Sequence, residues 1–135
     1  MPIGNVHKTA GAILMPIAYL AVQNNSQQKE RVDLGELLLF SVIGLNTARI
    51  PDILEPATNP NHRAFFHSFT FGLITGYVSI EAWKDLQTRR FERKTIGIKQ
   101  WSKYEVLDVA IVIGAGSILL HLFMDASTKK GLPFI

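Results

Sequence analysis

Four apolar stretches separated by polar ones organise this chain. The first runs from about Thr9 to Val22 and ends in Gln23-Asn24-Asn25-Ser26-Gln27-Gln28. The second runs from Leu34 to about Leu45 and continues weakly to Ile50. Pro51 is expected to stop it, because proline disfavours helical geometry in the residue before it. The third spans about Phe65 to Trp83 and the fourth Val106 to Met124. No strand-like alternation of any length occurs and no internal repeat is evident, so the pattern predicts an all-α chain.

Charge placement separates a soluble bundle from one that crosses a bilayer. A spanning helix needs about 20 predominantly apolar residues, a length that the third and fourth stretches reach. The first and second are shorter, and Glu36 interrupts the second. A soluble bundle would carry regularly spaced charges along one face of each helix. The runs Gly72-Leu73-Ile74-Thr75-Gly76-Tyr77-Val78 and Ala110-Ile111-Val112-Ile113-Gly114-Ala115-Gly116 carry none, and their glycines suit close helix contacts in lipid. The prediction is a four-helix transmembrane bundle.

Composition narrows the chemistry. At 135 residues the chain is read as one helical membrane domain, 1–135. Its 47% hydrophobic content and mean hydropathy of +0.17 lie between soluble and polytopic membrane proteins. It has no cysteine, which excludes disulfides, thiolate zinc sites and cysteine nucleophiles. Any metal must be held by imidazole nitrogen and carboxylate oxygen, and a divalent ion, zinc or manganese, is the expected cofactor. Of the fourteen basic residues, seven fall between Lys84 and Lys103, which reads as a hydrophilic, membrane-proximal loop over 84–105. Trp101 and Tyr104 are too little aromatic interleaving for a nucleic-acid surface, so no nucleic-acid partner is expected. The first apolar stretch lacks the charged leader and cleavage site of a signal peptide.

Topology gathers the candidate chemistry. If each stretch crosses once, the N-terminus, the Asn46–Ala64 connection and the C-terminal tail share one membrane face. His7, Asp52, Glu55, His62, His67, His121 and Asp125 then converge there. The opposite side carries Lys29, Arg31 and the seven-residue basic cluster, against Lys8, Arg49, Arg63, Lys129 and Lys130 on the site side. The positive-inside rule therefore puts the basic loop in the cytoplasm and the site on the extracytoplasmic face of the membrane.

Each residue group has a plain alternative. His121 and Asp125, four apart, share one helix face and can meet one metal ion or simply hydrogen-bond. Asp52 and Glu55 sit in a turn between Pro51 and Pro56, either as ligands or as helix-end acids, where the dipole disfavours them. His62-Arg63 and His67-Ser68 straddle the start of the third stretch. Arg63 offers a planar donor fork for an anionic oxygen, and His67 is the better ligand of the two histidines.

Taken in order, Pro51-Asp52, His62-Arg63-x-x-x-His67-Ser68 and His121-Leu-Phe-Met-Asp125-Ala-Ser-Thr128-x-x-Gly131-Leu-Pro133 resemble the predicted inner-membrane, metal-dependent hydrolases of the LexA-binding, inner-membrane-associated type. That family shows an early histidine, a Pro-Asp-x-Asp turn, a His-Arg-x-x-Thr-His-Ser block and a His-x-x-x-Asp-x-x-Thr-x-x-Gly-x-Pro block. The resemblance implies metal ligation by His7, Asp52, His67, His121 and Asp125, with His62 and Arg63 in support. Leu54 stands where the family often has a second acid, with Glu55 adjacent, and Phe66 replaces its threonine. One metal ion is therefore favoured over two.

The expected function is a membrane-bound hydrolase acting on a phosphoester or lipid-linked substrate, with Glu55 or a non-ligating histidine as base and Arg63 stabilising oxyanion charge. Membrane lipids and a lipid-linked or anionic substrate are the expected partners, with a homo-oligomer left open. The alternative is a non-catalytic membrane scaffold whose His/Asp cluster is a structural network. An ion or proton pathway finds too few charges at mid-bilayer depth.

Overall fold

The computed structural model describes residues 3–25, 34–55 and 65–127, and every regular element among them is a helix. They are α1 (Ile3–Asn25), α2 (Leu34–Thr47), α3 (Ile50–Leu54), α4 (Phe69–Ile96) and α5 (Lys103–Ala126). The all-α expectation holds, with four long helices and one short one.

Two element boundaries differ from the sequence reading, each for a local reason. Pro51 opens α3 instead of ending a helix, because it occupies the first turn, where its missing N–H has no partner to lose. Asp52 thereby sits in a first helical turn, and Glu55 caps the far end. The third stretch starts at Phe69, after Ser68, whose Oγ accepts from the Phe71 N–H at 3.1 Å. It continues as α4 through the supposed basic loop as far as Ile96. Gly97, at φ 81°, ends it, with its N–H on the Lys94 carbonyl and the Ile98 N–H on that of Arg93. The 84–105 region is thus mostly helix, and only about six residues separate α4 from the Ser102/Glu105 capping box that starts α5.

Helix α5 is the central element. It packs along α4, α1 and α2, and α1 lies against α2, whereas the α1 and α4 backbones stay apart and meet through side chains, Tyr19 against Trp83 and Arg90 on Tyr19 and Gln23. Gly11 and Gly44 set the α1–α2 approach: a Cβ on Gly11 would stand 2.6 Å from the Gly44 carbonyl oxygen and 2.8 Å from Ala48 Cβ. The connectivity brings the start of α1, the end of α2, all of α3, the start of α4 and the end of α5 to one end of the bundle.

Polarity is turned outside-in. His67, Arg90, Glu105, Ser117, His121 and Asp125 are buried, while Ile17, Leu38, Leu73, Tyr77 and Phe123 are largely exposed. Contiguous apolar exposure on this scale suits a hydrocarbon solvent. Leu34–Leu54 and Lys103–Ala126 are long and apolar enough to cross a bilayer, with mean hydropathies of 1.5 and 2.2. The sequence reading had named the third stretch with the fourth. In α4, Glu81, Lys84 and Asp85 fall within the first eighteen residues and lower its apolar character.

Candidate metal centre

His67, just ahead of α4, is fully buried and gripped on both ring nitrogens. Its Nδ1 lies 3.0 Å from Glu55 Oε2 and its Nε2 lies 3.3 Å from Asp52 Oδ1. His121, on the last turns of α5, donates Nδ1–H to the Ala48 carbonyl at 2.7 Å, since a carbonyl can only accept. That contact leaves the His121 Nε2 lone pair pointing inward, 3.3 Å from His67 Nε2. Asp125, one turn further along α5, brings Oδ2 to 3.4 Å from His121 Nε2 and 3.6 Å from His67 Nε2. Asp52 Oδ1 completes the group at 3.6 Å from His121 Nε2.

These separations have a physical meaning. Ligand atoms bound tetrahedrally at about 2.0–2.2 Å stand roughly 3.3–3.6 Å from one another. The five distances just given, among two imidazole nitrogens and two carboxylate oxygens, run from 3.3 to 3.6 Å. With Nδ1 of each histidine turned to an acceptor, both Nε2 atoms face the carboxylates with lone pairs. Four acceptors converging on one point repel unless a cation or a proton lies between them. The outer contacts, a backbone carbonyl on one histidine and a carboxylate on the other, are those that orient metal-binding imidazoles. The donor set therefore fits a divalent ion held by Asp52, His67 and His121, with Asp125 Oδ2 within 3.6 Å of both Nε2 atoms as a further oxygen.

His7 lies against this group. Its ring stacks on His121 at 4.1 Å, and its Nε2 is 3.5 Å from Asp125 Oδ1. Its Nδ1 is buried without a hydrogen-bond partner. His7, His121 and Asp125 thus form a second triad able to hold an ion, sharing His121 with the triad Asp52, His67 and His121. Because Nδ1 of His121 is taken by Ala48, its single Nε2 would have to serve both triads. The geometry accordingly favours one fully ligated position.

Electrostatics fit the same picture. Burial works against the charged form of His67, but hydrogen bonds to Asp52 and Glu55 outweigh it and raise its pKa. Burial likewise works against the Glu55 carboxylate, yet the His67 hydrogen bond and backbone N–H groups of Phe66 and Phe65 hold its pKa below the ordinary glutamate value. Glu55 is thus an ionised carboxylate held against His67 Nδ1, one position after Leu54.

All of His7, Asp52, Glu55, His67, His121 and Asp125 come together at one end of the bundle. His62 and Arg63 lie outside the described residues. The sequence reading missed Ala48, whose role is carried by a backbone carbonyl and leaves no side-chain signal. The opening of the site is at Asp52, whose side chain is 37% exposed while those of His7, His67, His121 and Asp125 are all 4% or less.

Comparison with known proteins adds the membrane setting. A family model described as YdjM inner membrane protein matches residues 1–135. That description carries no activity and no partner. No curated protein matches this chain, and no solved structure does.

Proposed function

The chain belongs to the YdjM inner membrane protein family, and from that premise we propose that it is a multi-pass, metal-dependent hydrolase with its site at the outer membrane–water boundary. The substrate class is a phosphoester or another lipid-linked ester. The observation that carries this reading is the convergence of the His67 and His121 Nε2 lone pairs with Asp52 and Asp125 at tetrahedral spacing.

Asp52, His67, His121 and Asp125 would hold the ion, with His7 steadying Asp125. A divalent ion, zinc or manganese, supplies Lewis acidity toward a phosphoryl or acyl oxygen and lowers the pKa of water. The protein's own part is to keep both histidines in the metal-binding tautomer through Ala48 and Glu55. Asp52 forms the edge that solvent and substrate reach. Arg63 and His62 keep the anion-binding and proton-handling roles expected from sequence. Ile53 and Leu54, next to Asp52, and Phe65 and Phe69, flanking His67, are exposed and would give the mouth an apolar rim that suits a substrate arriving through lipid.

One observation favours a non-catalytic network instead. A protonated His67 between Asp52 and Glu55 is satisfied without any ion. Protein purified in detergent without chelator separates the two. It should contain metal, release phosphate from phosphatidic acid or cleave a p-nitrophenyl phosphodiester, stop with chelator, and be inactive as Asp125→Ala. Folded, metal-free protein whose stability is untouched by zinc or manganese would instead establish the network.

A further inference from the structure

Roughly 33 Å of helix from Ser68, at 1.5 Å per residue, α4 carries a second polar centre that the hydrolase reading does not use. Arg90 is wholly buried, yet no carboxylate among the described residues pairs with it. Its guanidinium donates to Tyr19 Oη at 2.7 Å and to Gln23 Oε1, and Trp101 covers its face at 5.3 Å. Its Nε remains buried with no partner, as do both amide atoms of Gln87. Neighbouring arginines are treated differently: Arg89 has Asp108 at 2.9 Å and Arg93 has Glu105 at 2.8 Å. A buried charge facing only neutral acceptors is costly, so Arg90 lacks an anion that its neighbours possess.

The structure also provides a route to it. Where the α1 and α4 backbones stay apart, an apolar cleft of about 280 Å³ opens on the outside of the bundle. It is lined by Met15, Ala18 and Tyr19 of α1, Ile80 and Trp83 of α4, and Gly116 of α5 among others. On α1, Met15, Ala18, Tyr19 and Gln23 fall on one helical face; on α4, Ile80, Trp83, Gln87 and Arg90 do the same. The cleft's lining extends to Tyr19, Val22 and Trp83; Gln23, Gln87 and Arg90 lie one to two turns further along the same faces, and Tyr19, whose hydroxyl accepts from Arg90, joins the two.

We propose that this cleft binds an anionic membrane lipid, with its phosphate on Arg90 and one acyl chain lying between α1 and α4. The direction is that of a lipid in its leaflet, head at the bundle end and chain toward the bilayer centre. The volume lies just below that of ordinary ligand pockets, about 300–1,000 Å³, and suits a single chain. Exposed Lys94, Lys99 and Lys103, at this end of α4 and the start of α5, favour anionic headgroups there. The site stands apart from the metal centre, and its test needs no activity.

Trp83 and Trp101 are the chain's two tryptophans, and both flank the proposed ligand. Phosphatidylglycerol brominated on one acyl chain, titrated into the full chain in detergent micelles, should quench them saturably. Half-saturation should come at about tenfold lower lipid than for brominated phosphatidylcholine, the scale of one charge-assisted hydrogen bond set. Arg90→Gln should erase that headgroup preference, and Ala18→Phe, which fills the cleft without touching Arg90, should abolish saturable quenching by both lipids. Equal half-saturation for the two lipids in the unmodified protein overturns the proposal, as does an unchanged preference in folded Arg90→Gln. Inorganic phosphate that displaces the lipid and binds Ala18→Phe undiminished would mean a free-anion site, which also overturns it. Should Arg90→Gln fail to fold, the headgroup comparison and Ala18→Phe decide alone.

Discussion

His67 Nε2 and His121 Nε2 stand 3.3 Å apart although 54 positions of chain separate them. Each ring is held from behind by an acceptor, Glu55 in one case and the Ala48 carbonyl in the other. Two imidazoles backed in this way present electron pairs to each other. In a bundle core that arrangement is unfavourable by itself, and it becomes favourable when a positive charge is shared between them.

Replacing Glu55 tests the backing. Glu55→Gln keeps the shape but removes the charge that fixes the His67 tautomer, and loss of such an outer partner typically costs about 10–100-fold in metal affinity. Zinc titration with a competing chelator should register a drop of that order with the helical signal unchanged. Undiminished affinity would mean that Glu55 has no part in the site.

A pH series separates bound from metal-free protein. The raised pKa of His67 stabilises the metal-free fold below the ordinary histidine value of 6.5, and that contribution is lost as pH climbs through the raised value. Glu55, with a lowered pKa, contributes a constant amount above its ordinary 4.5. Metal requires Nε2 without its proton, so ion binding strengthens over the same rise. Between pH 6 and 8 the Tm of chelator-treated protein should fall while the gap to the zinc-loaded Tm widens. A gap that is constant or narrows with pH would contradict ligation through His67.

The α1–α2 contact reaches the site through helix geometry. His7 is one turn before Gly11 on α1, and Ala48, just past the end of α2, is one turn after Gly44 and bonded to its carbonyl, so the close approach of the glycines sets where His7 and the Ala48 carbonyl stand. Gly11→Ala puts a methyl 2.6 Å from backbone oxygen and 2.8 Å from Ala48 Cβ, neither able to give way cheaply. Overpacking of this kind costs about 1–3 kcal/mol, and metal affinity should fall with it. A Cβ on Gly76 would meet nothing within 4 Å; Gly76→Ala should leave affinity intact and Tm equal or slightly higher through helix propensity. Equal behaviour of the two variants would dissociate the packing from the site.

How much of this was legible in the residues follows from what helices advertise. Chain parity across four apolar stretches was enough to bring His7, Asp52, His67, His121 and Asp125 to one end, and the four-residue spacing was enough to align His121 with Asp125. Helices that are apolar on most faces give little facial signal, so their neighbours could not be read, nor the choice of Ala48 as the His121 acceptor. The basic cluster misled because charge was taken for loop. Arg89 and Arg93, four apart, lie along α4 where Asp108 and Glu105 of α5 meet them, and this pairing appears only once the two helices are side by side.

That pairing makes the last prediction. Glu105 is 1% exposed, closes the capping box of α5 through the Ser102 N–H, and accepts from Arg93 Nε at 2.8 Å. Glu105→Gln preserves a capping acceptor but removes the carboxylate charge opposite Arg93, which keeps its contacts to the Ile98 and Lys99 carbonyls. Breaking a buried pair from one side costs about 3–5 kcal/mol, whereas replacing both members with apolar groups is often neutral. Thermal unfolding in detergent should therefore rank Glu105→Gln well below the unmodified protein, with the double variant Glu105→Gln, Arg93→Met recovering much of the loss. Additive losses in the double variant would show that Arg93 is held by its carbonyl contacts and that the ion pair is incidental to the α4–α5 junction.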